Sequence, residues 1–115
     1  MQNKTNFQRY NDGVVHIYRE IERRSNFSAK INVSKLSDMV EIVKLNYAEQ
    51  SKRQQDIDFA NQQTFSLDLK IKTRFIKGVD NKCKCVIDGF LYDIKYADLT
   101  KTEMYLYLEG VGEIA

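Results

Sequence analysis

A chain of 115 residues with 43% hydrophobic and 30% charged residues, and no Pro/Gly/Ser-rich break, has the size of one domain with one hydrophobic core, here residues 1–115. No run approaches the roughly 20 apolar residues of a spanning helix, and Met1-Gln2-Asn3-Lys4-Thr5-Asn6 lacks the apolar stretch of a signal peptide, so a cytosolic start and no membrane partner are expected. Eighteen basic residues against sixteen acidic ones leave a formal charge of +2, which excludes a strong global attraction to nucleic acid and leaves room for a local basic stripe.

The first element follows the Asn11-Asp12-Gly13 turn cluster, where the β-branched and aromatic residues of Gly13 to Ile21 predict a strand. His16, the only histidine, lies in it with no Cys, Ser or carboxylate pair at a spacing that organises catalysis, and reads as structural or solvent-facing. Residues Arg23 to Asp38 fit neither the helical nor the alternating template. A connection of that length tends to be functional or disordered, which makes it a candidate contact loop.

Alternation resumes from Met39 to Tyr47, with Val43, Leu45 and Tyr47 on one face and Lys44 and Asn46 on the other. The stretch from Glu49 to Asn61 holds good helix formers without Pro or Gly, and the apolar spacing Ile57, Ala60 predicts a short helix covering one end of the sheet. Arg53 and Asp56 are spaced to pair on its surface. Phe65 to Phe75 then alternates for eleven residues, with Phe65, Leu67, Leu69, Ile71, Thr73 and Phe75 on a dry face and Ser66, Asp68, Lys70, Lys72 and Arg74 on a wet, basic one.

Lys82 to Ile94 is a hairpin turned at Asp88-Gly89. A two-residue type I′ loop sets Ile87 opposite Phe90, Cys85 opposite Tyr92 and Cys83 opposite Ile94 on one face, and Val86 opposite Leu91 and Lys84 opposite Asp93 on the other. Shifting by one residue would set Lys84 against the core. Two cysteines one residue apart on a strand suit neither ordinary disulfide geometry nor a zinc site, so Cys83 and Cys85 read as reduced packing residues. A last strand runs from Glu103 to Glu109 after a Thr100-Lys101-Thr102 turn, with Met104, Leu106 and Leu108 on one side and Tyr105 and Tyr107 on the other. The fold class is mainly β: a small β-barrel or strongly bent antiparallel sheet with one short helix and a long loop.

No phosphate-binding glycine loop, nucleophile motif or metal-ligand spacing appears, so no catalytic residue, cofactor or metal is expected and the chain reads as no enzyme. Two features suit contacts. Lys70, Lys72 and Arg74, extended by Lys77, present charge about every 7 Å along one strand face. Tyr92, Tyr96, Tyr105 and Tyr107 suit either packing or base stacking, which opens the alternative of a small oligonucleotide-binding β-barrel.

In order along the chain, Arg53-x-x-Asp56-x-x-x-Ala60, Lys70-Ile71-Lys72-Thr73-Arg74-Phe75, Val86-Ile87-Asp88-Gly89-Phe90-Leu91-Tyr92-Asp93-Ile94 and Tyr105-Leu106-Tyr107-Leu108 resemble the head-tail adaptor family, the head closure or stopper proteins of long-tailed bacteriophages. The likeness covers about Ser51 to Leu108; the tryptophan common in early strands of many members is absent here. It implies a β-barrel subunit, a monomer in solution, that forms a ring in the virion at the head-tail junction after synthesis in the host bacterial cytoplasm. Its partners would be other phage connector and tail-completion proteins, with packaged DNA nearby. A closed ring needs two complementary patches on each subunit. The helix and the basic strand face, with Arg53, Asp56, Lys70, Lys72 and Arg74, are the candidates.

Overall fold

The computed structural model describes residues 10–20 and 39–114, so the connection expected at Arg23 to Asp38 lies outside the described residues. Among the described residues six strands close into a barrel: β1 (Gly13–Glu20), β2 (Met39–Gln50), β3 (Leu69–Arg74), β4 (Cys83–Ile87), β5 (Phe90–Leu99) and β6 (Glu103–Glu113), with one helix, α1 (Gln54–Gln62), between β2 and β3. The order around the wall is β1-β2-β3-β6-β5-β4, every pair is antiparallel, and β1 completes the circuit against β4 through Ile17 opposite Cys85. Closure satisfies the ladder on both sides of each strand, which an open sheet of this size leaves undone at two edges.

Inward-pointing residues alternate as a pleated strand requires. Val15 and Ile17 of β1, Leu45 and Tyr47 of β2, Ile71 of β3, Cys83, Cys85 and Ile87 of β4, Ile94 of β5, and Met104, Leu106 and Leu108 of β6 form the interior cluster. The hairpin has the expected register, with Ile87 opposite Phe90, Val86 opposite Leu91, Cys85 opposite Tyr92 and Lys84 opposite Asp93. Positive φ at both Asp88 (50°) and Gly89 (77°) is the conformation a type I′ turn demands. Its outer face is drier than expected. Val86 and Leu91 are buried there under Met39, Tyr18 and Ile114, leaving the Lys84 to Asp93 ion pair as its polar part.

Several boundaries move: β2 runs past Tyr47 to Gln50 and β5 past Ile94 to Leu99. The strand expected over Phe65 to Phe75 is a strand only at Leu69–Arg74. Before it, the Phe65 N–H donates to the Ala60 carbonyl, closing the helix end, and the Ser66 N–H to the Glu109 carboxylate, so perfect alternation is overridden by local hydrogen bonds. The helix starts five residues later than Glu49, because Glu49 and Gln50 remain in β2 opposite Ile71 and Lys70, and it runs one residue past Asn61, to Gln62. Its buried residues are Asp56 and Ala60; Ile57 is exposed. The last strand passes Gly110 and ends at Glu113, bending around β5 through register shifts. Gly110 opposes Tyr92 in that bend, and a Cβ there would lie 3.0 Å from the Phe90 ring, which would have to give way to a larger residue.

Both cysteines are free and fully buried. Burial first, then the neighbouring Cys83 and Asp93, push the Cys85 thiol well above its ordinary range. Neither thiol is expected to react with a thiol reagent in the folded chain at pH 8, and both are expected to react once it is denatured; absorbance of the released chromophore checks this.

Candidate functional site

Odd-numbered β6 residues point away from the interior, so Tyr105 and Tyr107 stand on the outer wall and need a cover. Lys70 stands beside them, since β3 pairs with β6 through Lys70 opposite Tyr107. Helix α1 supplies the cover. Its N-cap, Arg53, has extended backbone angles, and the Arg53 N–H donates to the Asp56 side chain at 3.0 Å, which fixes the first turn. One turn on, Ala60 has no bulk to hold the helix away. Phe59 meets Phe65 at 6.3 Å, Tyr96 at 4.8 Å and Tyr107 at 6.0 Å between ring centres. The edge-to-face and tilted geometries are those aromatic quadrupoles favour.

The centre of this interface is charged. Lys70, only 5% exposed, donates from Nζ to Asp56 Oδ2 at 3.0 Å, and the Tyr107 hydroxyl donates to Asp56 Oδ1 at 3.0 Å. The ammonium also lies 5.2 Å and 5.7 Å from the centres of the Tyr107 and Tyr105 rings. Both partners of this ion pair are withdrawn from water, a geometry whose Coulomb gain is repaid only when further hydrogen bonds complete it, as Arg53 and Tyr107 do here. Burial alone would raise the Asp56 carboxyl; the Arg53 N–H, Lys70 and the Tyr107 hydroxyl outweigh it and hold it below its usual 3.8. Burial first, then the Asp56 bond and charge, push the Tyr107 phenol up to about 12.

Two expected outcomes arise here. A carboxyl held low in the folded state stabilises above the unfolded-state value, and the contribution is lost as pH falls through the folded value. Docking of α1 is therefore expected to be insensitive to pH near neutrality and to weaken only below about pH 3.8, measured as tyrosine accessibility to a neutral quencher. In the alkaline direction, Tyr10 and Tyr107 are expected to remain protonated at pH 11 in an absorbance titration; Tyr10 is raised to about 12 by burial first and by its bond to Glu103.

Arg53, Asp56 and Lys70 of the expected interface set thus come together, but not on a wet stripe. Lys72 lies 3.8 Å from Glu103 and beside the Tyr10 ring, and Arg74 is exposed at the end of β3. The open basic face read from alternation is corrected: α1 covers its first member. The sequence places Tyr105 and Tyr107 in packing or stacking; the structure adds a part in the ion-pair site. The available signal was their outward position next to a lysine on a neighbouring strand. Beside the pair, Gln50, Ser51, Arg53, Asp98 and Tyr105 line an open cavity of about 360 Å³. A larger cleft of about 700 Å³ lies between Arg19 and the start of β4, where Asp80, Lys82, Lys84, Asp93 and Lys95 mix their charges.

His16 pairs with Glu41, at 3.0 Å between Nδ1 and Oε2 across β1 and β2. Among the described residues no group of His, Cys, Asp and Glu is arranged to hold a metal ion, and no helix is long and apolar enough to cross a membrane. What the site can do chemically is hold α1 on the barrel through one proton-sensitive, fully bonded ion pair. No protein-family model matches the chain, and no curated protein matches it either.

Proposed function

We propose that this chain is a structural connector of a long-tailed bacteriophage, a head-completion or stopper subunit. It forms a ring between the portal and adaptor complex and the tail, joins the tail and helps retain packaged DNA. The observation that carries the reading is the ordered helix, strand and hairpin pattern from Arg53 to Leu108. Its spacing has a physical reason in this fold: Asp56 and Ala60 are the buried residues of α1, and Asp56 reaches Lys70 of the strand piece and Tyr107 of the closing piece. The helix, strand and closing pieces therefore act as one docking unit, while the hairpin piece is barrel wall apart from it.

A role built on surfaces also suits the placement of the ionisable groups. The described carboxylates lie in ion pairs, turns or on the outer wall, and the proposed role is non-enzymatic. The exposed outer side of α1, with Ile57, and the Arg74 end of β3 offer two unlike patches, which head-to-tail ring closure needs. Electron microscopy of particles made with a disrupted copy tests the proposal. Filled heads that lack tails or have lost DNA are expected; filled heads with tails attached would overturn it.

A further inference from the structure

We propose that α1 is a strap that leaves the barrel as one unit while the barrel stays closed, uncovering the Lys70, Tyr105 and Tyr107 surface beneath it. The barrel does not depend on the helix for its integrity: the hydrogen-bonded circuit of six strands closes through β1 and β4 without it. The packing is separate too. Ala60 of α1 clusters with Phe65 and Tyr107, and Phe59, Leu67 and Tyr105 border that satellite, whereas the interior cluster of Ile17, Ile71 and Leu106 contains no residue of α1.

Both ends of the helix adjoin chain that is tied down elsewhere. Gln50 is held in β2 opposite Lys70, and the Asp68 N–H donates to the Leu108 carbonyl. Motion is thus confined to the residues between these anchors. One of them, Thr64, has φ of 61°, in the left-handed region that a non-glycine residue leaves readily when its surroundings permit.

The pin is polar, and that decides how opening proceeds. Asp56 faces Arg53 on its own helix, Lys70 on β3 and Tyr107 on β6, with Asp98 of β5 lining the adjoining cavity. When α1 lifts, Asp56 and Lys70 both regain water, so the desolvation that docking imposed is returned. A helix fixed by a wide apolar stripe would have no such return. Only Asp56 and Ala60 are buried along its nine residues.

Hydrogen exchange of the full chain at pH 7, followed by mass spectrometry with residue-level fragmentation, tests this. The amides of Asp58 to Gln62 are expected to share one rate at least about tenfold faster than those of Met104 to Leu108, as a sub-global opening requires. In Asp56→Asn the helix is expected to lose a further factor of about ten while β6 is unchanged. Rates within about tenfold of β6 in the unmodified chain overturn the proposal, and so does graded fraying from the helix ends or an equal loss in helix and β6 in the variant. The comparison within the unmodified chain decides the matter even where the variant does not fold.

Discussion

Leu106→Ala is expected to lower the unfolding free energy by about 2–5 kcal/mol, enough to consume much of the stability of a domain this size. Leu106 has no exposed surface, lies in β6 between the fully buried Met104 and Leu108, and opposes Ile71 of β3 and Ala97 of β5. It therefore packs where three strands meet. Around it stand side chains fixed by a closed ladder, which restrains them from collapsing into the space a leucine leaves. Urea denaturation gives the loss as a shifted midpoint at constant slope. Leu99→Ala, half-exposed at the end of β5, is the control and is expected to fall within about 0.5 kcal/mol of the unmodified chain.

Lys70→Met is expected to act on a different part of the molecule. It removes the buried cation from Asp56 and leaves a buried carboxylate with the Tyr107 hydroxyl, the Arg53 N–H and the exposed Arg53 guanidinium at 3.7 Å. Stranding a buried charge ordinarily costs about 3–5 kcal/mol. Here that cost is capped, because release of α1 rehydrates the carboxylate, so the global unfolding free energy is expected to fall by less than about 3 kcal/mol while the helix loses its docking. Adding Asp56→Leu to Lys70→Met removes the stranded charge but also the acceptor of the Arg53 N–H and the Tyr107 hydroxyl, so docking is expected to be regained in part. Tyrosine quenching reports the docking and urea denaturation the global stability. A double variant no better docked than Lys70→Met alone would show that the charge pair is not what holds the helix.

The contrast between these variants follows from which parts of the fold could be read from the chain. Cross-strand logic at Asp88-Gly89 predicts five residue pairs, of which the ladder shows the four nearest the turn, because a turn of two positive-φ residues admits one register. Alternation in Met104, Leu106 and Leu108 identified the interior face for the same local reason. Where a second layer covers the wall, alternation misleads: Lys70 reads as solvated until α1 is placed over it, and Val86 and Leu91 as outer residues until Met39 and Ile114 are. The helix boundary failed because Glu49 and Gln50 have fair helix propensity but gain ladder bonds in β2, a tertiary preference that outweighs a few tenths of a kcal/mol per residue. The apolar spacing Ile57, Ala60 locates the buried face of α1 only through Ala60, because the other buried residue is charged. Asp56 is legible as a docking residue only once its partner on β3 is known.

The proposed connector role requires the chain to sit at the neck of a phage particle. Gold-labelled antibody against this chain, applied to particles split at the neck, locates it directly by electron microscopy. A connector subunit predicts gold on the exposed neck ring and nowhere else on head or tail; gold spread over the capsid or along the tail, or absent from purified particles, would contradict it.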